Sequence, residues 1–234
     1  MTPLLKNLDS DTVALSRDRL PQTIAARTRR FYDVVSTIYP LSSYMFHARA
    51  HKVALEMCGV RNGMQVLEIA TGSGEMFRKL VKANGSGSTY GIDLSPRMAA
   101  RTHKQVRQDF PRATAHCQAV DARYLPFRPN SFDAVFCCYL LELLSRNDIM
   151  LMLSEVHRVL RRNGTFGLIM IGSNESALFN GLYEVAGSII PAFWGRQMQA
   201  EGAEILRAAG FQIQREELVK QTGYSSRVLQ IVKD

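Results

Sequence analysis

Two glycines and one carboxylate stand close together where an apolar run of the chain ends. The segment ATGSG over 70–74 follows the run VLEI over 66–69, in which Glu68 is the charged residue. Glycines at Gly72 and Gly74 would let the backbone turn tightly into a helix and come close to a ligand. The next residues are Glu-Met-Phe, so the segment carries neither a GK[ST] phosphate loop nor GxGxxG. It therefore predicts either a ligand loop that does not hold phosphate or an ordinary structural turn.

Two further carboxylates follow later apolar runs. Asp93 comes about twenty residues after the glycine turn, where an acid can accept hydrogen bonds from both hydroxyls of a ribose. Asp121 could accept from an exocyclic amine, while the backbone N–H of Ala122 meets a ring nitrogen. The structural alternatives stay open, because Asp93 or Ser95 would also suit a helix cap and Asp121 a surface loop.

The pattern of alternating strands and helices predicts where these acids lie in the fold. Five apolar runs predict strands: MQVLEIA, STYGIDL, RATAHCQAV, SFDAVFCCYLL and GTFGLIMIG. Helices are expected over 75–83, from Ser95-Pro96 onward, and over 147–164 with Asn147 as the cap. Such alternation predicts right-handed crossovers and a parallel sheet with helices on both faces. Ligands of such sheets bind beyond the carboxyl ends of the strands, where these acids stand.

The two ends of the chain depart from this alternation. The C-terminal run FQIQREELVKQTGYSSRVLQIVKD predicts a hairpin that turns at Thr222-Gly223. One hairpin strand must run antiparallel, and we expect it at the sheet edge. Helical patterns over 21–36 and 42–57 follow a polar start. We expect a single structural domain, with an N-terminal arm and helical cap over 1–60 and the α/β unit over 61–234.

Composition sets broad limits on function. The chain is 46% apolar and 21% charged, which is typical of a globular protein and argues against disorder. Its formal net charge of +8 suits nucleic acid, an anionic membrane surface or an acidic partner, and equally a solvated basic surface. In the densest basic segment, the first three or four basic residues lie near helical spacing and should share one exposed face. The segment comprises Arg97, Arg101, Lys104, Arg107 and Arg112.

The cysteines and the apolar runs indicate in which cellular compartment the protein is expected. The four cysteines lack CxxC spacing, and we expect buried thiols in a reducing compartment, with Cys137 and Cys138 on opposite faces of a strand. The N-terminus lacks the apolar core of a signal peptide. Polar residues and a proline interrupt the most apolar run, over 177–195, which argues against a membrane span. We expect a cytoplasmic protein, with peripheral contact at an anionic inner membrane as an open alternative.

Several ordered motifs together resemble one known family. The glycine turn, YGIDLS, VDARYLPFRPNSFDAVF and SEVHRVLRRNGTFGLIMI resemble the class I S-adenosylmethionine-dependent methyltransferases. The pattern is most similar to the quinone-biosynthesis (ubiquinone/menaquinone) C-methyltransferase type, over roughly residues 25–175. The resemblance implies a Rossmann-like, seven-stranded, mostly parallel sheet with helices on both faces, a terminal antiparallel hairpin strand and an N-terminal helical cap. It also implies S-adenosyl-L-methionine as cofactor and S-adenosyl-L-homocysteine as product, with the methyltransferase domain over 61–234.

The resemblance assigns residues along the cofactor from its methionine end to its adenine. In order, these are Glu68 for the methionine-end pocket, Ala70, Gly72 and Gly74 around the methionine, Cys138, Tyr139 and Leu140 beneath the methyl donor, Asp93 for the ribose, Leu94 and Met98 against the adenine, and Asp121 and Ala122 as its readers. Ala70 replaces the first glycine of the wider superfamily, which fits the quinone-type branch. Tyr32 and Tyr39 resemble the doubled YD of the family's cap, although Tyr39 is followed by Pro40.

The reaction of this family needs positioning more than acid–base machinery. In-line transfer from a sulfonium requires no metal, and a base helps only if the acceptor loses a proton. The candidates for such a base are His47 in the cap and Glu142 past the fourth strand, and the ordinary structural role stays open for both. The run over 177–195 suits a lid over a hydrophobic acceptor, such as a quinol, lipid or aromatic metabolite, or a core helix.

Other functions meet specific objections. A nicotinamide dehydrogenase should carry GxGxxG, which is missing here. A nucleic-acid methyltransferase would suit the positive charge, but such enzymes carry an [ND]PP[YF]-like motif where this chain has CCYL. A protein methyltransferase and a non-catalytic adenosyl-cofactor-binding protein on the same fold remain alternatives. The most economical prediction is an enzyme that methylates a small hydrophobic acceptor.

Overall fold

A computed structural model describes residues 39–172, 201–221 and 225–233 of the chain. Tyr32, the whole run over 177–195 and the turn at Thr222-Gly223 lie outside these described residues, as does the N-terminal arm. Tyr39 begins the first described helix, but the side chains of 39–46 lie outside the description. The division of the chain at residue 60 therefore stays a prediction.

The described residues form five helices, seven strands and a short 3₁₀ turn. The elements are α1 (Tyr39–Met57), β1 (Gln65–Ile69), α2 (Glu75–Asn84), β2 (Ser88–Asp93), α3 (Pro96–Asp109), β3 (Thr114–Ala119), β4 (Phe132–Cys138), the 3₁₀ turn (Leu141–Leu143), α4 (Arg146–Val159), β5 (Leu160–Gly172), α5 (Glu201–Ala208), β6 (Phe211–Lys220) and β7 (Ser225–Lys233). The predicted alternation of strands and helices is confirmed.

The seven strands form one sheet in the order β3-β2-β1-β4-β5-β7-β6. Strands β1 to β5 pair in parallel, and β7 runs antiparallel to both of its neighbours. The fold class predicted from the sequence is confirmed, but the expected place of the antiparallel strand was wrong. Strand β7 lies inside the sheet and β6 forms its edge, because β7 carries fully buried Val228, Leu229 and Ile231 whereas β6 is largely exposed.

Helices cover both faces of the sheet, as predicted. Helices α4 and α5 pack on one face, where the large core includes Ile149, Val156 and Leu206. Helices α1, α2 and α3 pack on the other face, in two smaller clusters. Neighbouring Cys137 and Cys138 contribute to different faces, which follows from the alternation of side chains along β4. All four cysteines are free thiols.

Helix α4 differs from its prediction at both ends. Ser145 rather than Asn147 caps it, since the Ser145 hydroxyl accepts a hydrogen bond from the Asp148 N–H. The helix ends at Val159 instead of continuing to Gly164. Backbone N–H groups of the 130–131 turn donate to the last helical carbonyls at 2.9 and 2.7 Å and thereby end the helix. Among the described helices, none is long and apolar enough to cross a membrane.

Candidate functional site

The segment between β1 and α2 is a turn built on left-handed backbone. Ala70, Gly72 and Gly74 have φ values of 60°, 50° and 79°. The Thr71 N–H donates to the Ile92 carbonyl at 3.0 Å, which ties the turn to the end of β2. A Cβ at Gly74 would lie 2.8 Å from Thr102 Oγ1, so this glycine also permits the close packing of α2 on α3. The turn predicted from the two glycines is therefore present.

Asp93 braces this turn from the neighbouring strand. Its Oδ2 accepts from the Gly72 N–H at 2.8 Å, and its Oδ1 accepts from the Ser95 N–H at 2.8 Å. Ser95 is the residue that caps α3, because its hydroxyl accepts from the Met98 N–H. These bonds hold the Asp93 carboxylate in place at the carboxyl end of β2, where the resemblance expects the ribose-binding acid.

Glu68 is a buried carboxylate at the carboxyl end of β1. Its side chain is 1% exposed, and its Oε2 meets no hydrogen-bond donor among the described residues. Burial, followed by the negative charges of Asp93 and Glu75, raises the pKa of Glu68 well above its ordinary value. Such an orphaned acid is stabilised when a cation binds beside it. S-adenosylmethionine carries an ammonium and a sulfonium, so Glu68 fits the cofactor that the sequence predicted.

Helix α1 contributes two histidines above the start of α2. Glu75 Oε1 accepts from Lys79 Nζ at 2.7 Å and lies 3.5 Å from His51 Nδ1. Burial opposes the charge on Glu75, but the contacts of His51 and Lys79 bring its pKa below the ordinary value. Burial lowers the pKa of His51, and burial together with His51 lowers the pKa of His47 to about 4. Both histidines are therefore neutral at physiological pH.

Tyr139 joins this histidine pair to the C-terminal hairpin. It follows β4 with a φ of 54°, which is uncommon for a residue other than glycine. Its ring centroid lies 4.3 Å from that of His47. Its hydroxyl lies 2.6 Å from Ser226 Oγ and accepts from Gln221 Nε2 at 3.2 Å. Polar groups from α1, β4 and β7 thus meet at one end of the sheet.

Asp121 is held by an arginine rather than standing free in a loop. Arg123 Nη2 donates to Asp121 Oδ2 at 2.7 Å, and Arg123 Nε donates to Oδ1 at 3.0 Å. Arg123 also donates to Asp148 Oδ1 at 2.7 Å, at the start of α4. The carboxylate predicted to meet an adenine amine is therefore fixed in orientation before any ligand binds.

Glu142 is a second orphaned acid, in the 3₁₀ turn after β4. Its side chain is 5% exposed, its Oε1 accepts from the Ile171 N–H at 2.6 Å, and its Oε2 meets no donor among the described residues. Burial raises the pKa of Glu142 to about 7. An acid with this pKa exchanges a proton readily at physiological pH.

The other predicted residues take varied positions. Met98 is buried in the first turn of α3, whereas Leu94, Ala122, Cys138 and Leu140 are half-buried at or after the ends of their strands. No grouping of three or more His, Cys, Asp or Glu side chains in 39–172, 201–221 and 225–233 is arranged to hold a metal.

Sequence reasoning missed several residues of this end of the sheet. His51 was detectable, because it follows His47 at the i+4 spacing that places two side chains on one helix face. Arg123 was also predictable, because it follows Asp121 by two residues in the sequence. Gln221 and Ser226 had no local signal, since only the position of β7 beside β5 brings them to Tyr139.

Comparisons with known proteins agree with this geometry. Residues 66–164 match the family model described as a methyltransferase domain. The 2-phytyl-1,4-naphtoquinone methyltransferase of Nostoc sp. is 26% identical over 61% of this chain and 64% of its own length. The demethylmenaquinone methyltransferase of Staphylococcus aureus is 27% identical over 73% of this chain and 70% of its own. The chain thus spans just under two thirds of the Nostoc relative.

A solved structure shares the same fold. The magnesium protoporphyrin IX methyltransferase from Synechocystis PCC 6803, solved with bound S-adenosylhomocysteine, aligns with a TM-score of 0.70 at 16% identity. The alignment covers 91% of this chain and 100% of that one. The fold, the methyltransferase domain over residues 66–164 and the names of the relatives agree with the resemblance to the class I S-adenosylmethionine-dependent methyltransferases. The two relatives above carry the names of quinone methyltransferases, the type that the sequence pattern resembles most.

Proposed function

We propose that this protein transfers a methyl group from S-adenosylmethionine to a small, hydrophobic acceptor that carries a hydroxyl group, such as a quinol. Glu68 carries the proposal, because it is a buried acid immediately before a left-handed glycine turn and its Oε2 meets no hydrogen-bond donor among the described residues. The cationic methionine end of the cofactor would relieve the cost of burying this acid. The names of the Nostoc and Staphylococcus relatives support a quinone-like ring as the acceptor.

The proposed cofactor contacts run along the carboxyl ends of four strands. Glu68 and the 70–74 turn would hold the methionine end, and Asp93 the ribose. Asp121 and the Ala122 N–H would read the adenine between Leu94 and Met98, and Cys138 and Tyr139 would lie beneath the methyl donor. Tyr32 and Tyr39 would contact the cofactor from the cap.

The chain's own contribution to the reaction is positioning and exclusion of water. When bound, the cofactor supplies an electrophilic methyl group on a sulfonium. The neutral rings of His47 and Tyr139 form one wall of the acceptor side, and they would align the attacking atom with the methyl group. Exclusion of water by this buried surface would strengthen the electrostatic contacts within it.

Glu142 is the better candidate for a base if the acceptor must lose a hydroxyl proton. Its pKa of about 7 suits proton transfer at physiological pH, whereas His47, with a pKa of about 4, is a weak base. The Ile171 N–H fixes one oxygen of Glu142 and leaves the other for the acceptor. Glu142 would accept the hydroxyl proton of the acceptor when the acceptor attacks the methyl group that the bound cofactor would supply.

Calorimetry with S-adenosylhomocysteine tests the cofactor site. We expect a Kd in the micromolar range or tighter, weakened about tenfold or more by Asp93→Ala, since one lost charged hydrogen bond has that effect. Asp109→Ala is the matched control, because this acid pairs with Arg78 at the far end of α3. Absence of binding to the unaltered protein would refute the proposal.

Transfer of a labelled methyl group tests the acceptor class. A reduced naphthoquinol with a short side chain should be methylated, whereas duplex DNA and a histone peptide should not. Mass spectrometry of quinone and lipid extracts from cells that lack the protein should show an unmethylated precursor. Methylation of the nucleic acid or peptide in place of the quinol would favour the alternative acceptors.

Helix α3 supports peripheral contact with an anionic membrane from the cytoplasmic side. Its basic residues and Arg112 are mostly exposed, and Asp109, the one acid of the helix, is paired with Arg78 at 2.7 Å. Each Lys or Arg near such a surface adds about 1 kcal/mol of attraction. Co-sedimentation with phosphatidylglycerol vesicles should occur at low salt and be lost in a variant with Lys104→Glu and Arg107→Glu. Equal binding to neutral phosphatidylcholine vesicles would contradict the charge-based contact.

A further inference from the structure

Arg123 is a nearly buried guanidinium that contacts two carboxylates. Its side chain is 9% exposed, beside Asp121 at 19% and Asp148 at 14%. The hydrogen bonds to Asp121 outweigh burial and raise the pKa of Arg123 further, so the group is charged at every accessible pH. Burying a guanidinium is favourable only when carboxylates pair with its charge and accept from its N–H groups. Arg123 therefore depends on Asp121 and Asp148, and it holds both of them in place.

The contact with Asp121 fixes the plane of that carboxylate. Arg123 Nε and Nη2 reach both carboxylate oxygens, and the Arg123 backbone N–H adds a third bond to Oδ1 at 3.0 Å. Paired donors of a guanidinium fix orientation as well as position. Arg123 Nε also donates to Asp121 Oδ2 at 3.2 Å, so one arginine holds both oxygens of the carboxylate.

The far side of Arg123 is anchored to the start of α4. Its Nη1 donates to Asp148 Oδ1, while the Ser145 hydroxyl donates to Asp148 Oδ2 at 2.7 Å. Burial raises the pKa of Asp148, but Ser145 and Arg123 lower it below its ordinary value. The orientation of Asp121 is thus tied to a capped helix rather than to its own loop.

We infer that Arg123 is a positioning residue that sets the selectivity of the site for a 6-amino purine. The inference rests on the proposed cofactor site, in which Asp121 faces the edge of the base. Held in this orientation, the carboxylate accepts from an exocyclic amine and repels a 6-oxo group. Without Arg123 the carboxylate rotates freely, so both the attraction and the repulsion weaken.

Calorimetry with two ligands tests this inference. The probes are S-adenosylhomocysteine and its 6-oxo analogue, S-inosylhomocysteine, and the readout is the ratio of their Kd values. We expect the unaltered protein to favour the adenosyl ligand, and Arg123→Ala to reduce the ratio about tenfold, as Asp121→Asn does. Arg123→Lys keeps the charge but lacks the paired donors, so it should fall between the two.

Arg158→Ala is the matched control. Arg158 also anchors the segment after β3, donating to the carbonyls of Leu125 and Phe127 at 2.9 and 2.7 Å, but it does not contact Asp121. This variant should lower the melting temperature and leave the ratio unchanged. A ratio of Kd values that is unaltered in both Arg123 variants, or that falls equally in Arg158→Ala, overturns the inference.

The same titrations separate this inference from the proposed function. Failure of the unaltered protein to bind S-adenosylhomocysteine overturns both. Tight binding of both ligands without discrimination overturns the inference and leaves the cofactor site intact.

Discussion

Replacing Glu142 with glutamine should stabilise the protein at high pH and leave it unchanged at low pH. Burial raises the pKa of Glu142 from an ordinary 4.5 to about 7. The unfolded chain therefore loses this proton at a lower pH than the folded protein does. Folded-state stability is retained below pH 4.5, falls as the pH rises toward 7, and stays lowered above it. At 1.36 kcal/mol per pH unit, the full cost is about 3 kcal/mol.

Glutamine has nearly the shape of glutamate, so the bond from the Ile171 N–H survives and only the titration is removed. Urea denaturation at pH 4.5, 6 and 8 measures the effect as the difference in unfolding free energy between the two proteins. We expect that difference to grow from near zero to about 3 kcal/mol across this range. Glu216→Gln serves as control, because Glu216 is an exposed acid paired with Arg227.

A pH-independent difference would refute the account of Glu142 as a buried, titrating acid. The same variant separates stability from catalysis. If Glu142 accepts the acceptor's proton, kcat/KM of the unaltered protein should rise with pH through about 7, and Glu142→Gln should lose most of the activity while gaining stability. If Glu142→Gln retained its activity, Glu142 would still be a buried, titrating acid, but it would not be the catalytic base.

Three further changes test the turn and its neighbouring acid. Gly74→Ala should destabilise the protein by about 1–3 kcal/mol in urea denaturation, since its Cβ would meet Thr102 at 2.8 Å on left-handed backbone. Ala70→Gly should be neutral or stabilising by up to about 1 kcal/mol, because it relieves a φ of 60°, and a loss above that would contradict the strain. Binding of S-adenosylmethionine should release a proton from Glu68, whose pKa lies well above its ordinary value. Calorimetry in phosphate and Tris buffers measures that release, and Glu68→Gln should abolish it.

The fold was predictable because its signals are local. Each β-α unit begins with an apolar run and ends with a turn or capping residue, as Ser95-Pro96 does for α3. The position of β7 was not predictable from the same signals, because the hairpin pattern is the same whichever strand joins β5. Strand β7 takes the inner position beside β5 because it is the hairpin strand that is buried, and that burial depends on tertiary packing.

The residues of the proposed cofactor site were easier to predict from the sequence than those of the proposed acceptor side. Gly72, Gly74 and Asp93 lie at fixed distances along consecutive units, so spacing was enough to bring them together. The cluster of His47, Tyr139 and Ser226 joins three elements far apart in the chain. Contacts of this kind depend on strand order, which the spacing of residues does not encode.

Three acids at this end of the sheet share a physical cost. Glu68, Glu75 and Glu142 each keep a buried oxygen without a donor among the described residues. A domain selected for stability alone would replace such groups with apolar or bonded ones, because each unpaired buried oxygen costs about 1–3 kcal/mol. Under the proposed function, a cation at Glu68 and a hydroxyl at Glu142 would offset part of this cost. The proposal therefore gives the cofactor and the acceptor different acids, and the burial and unsatisfied oxygens of both acids support it.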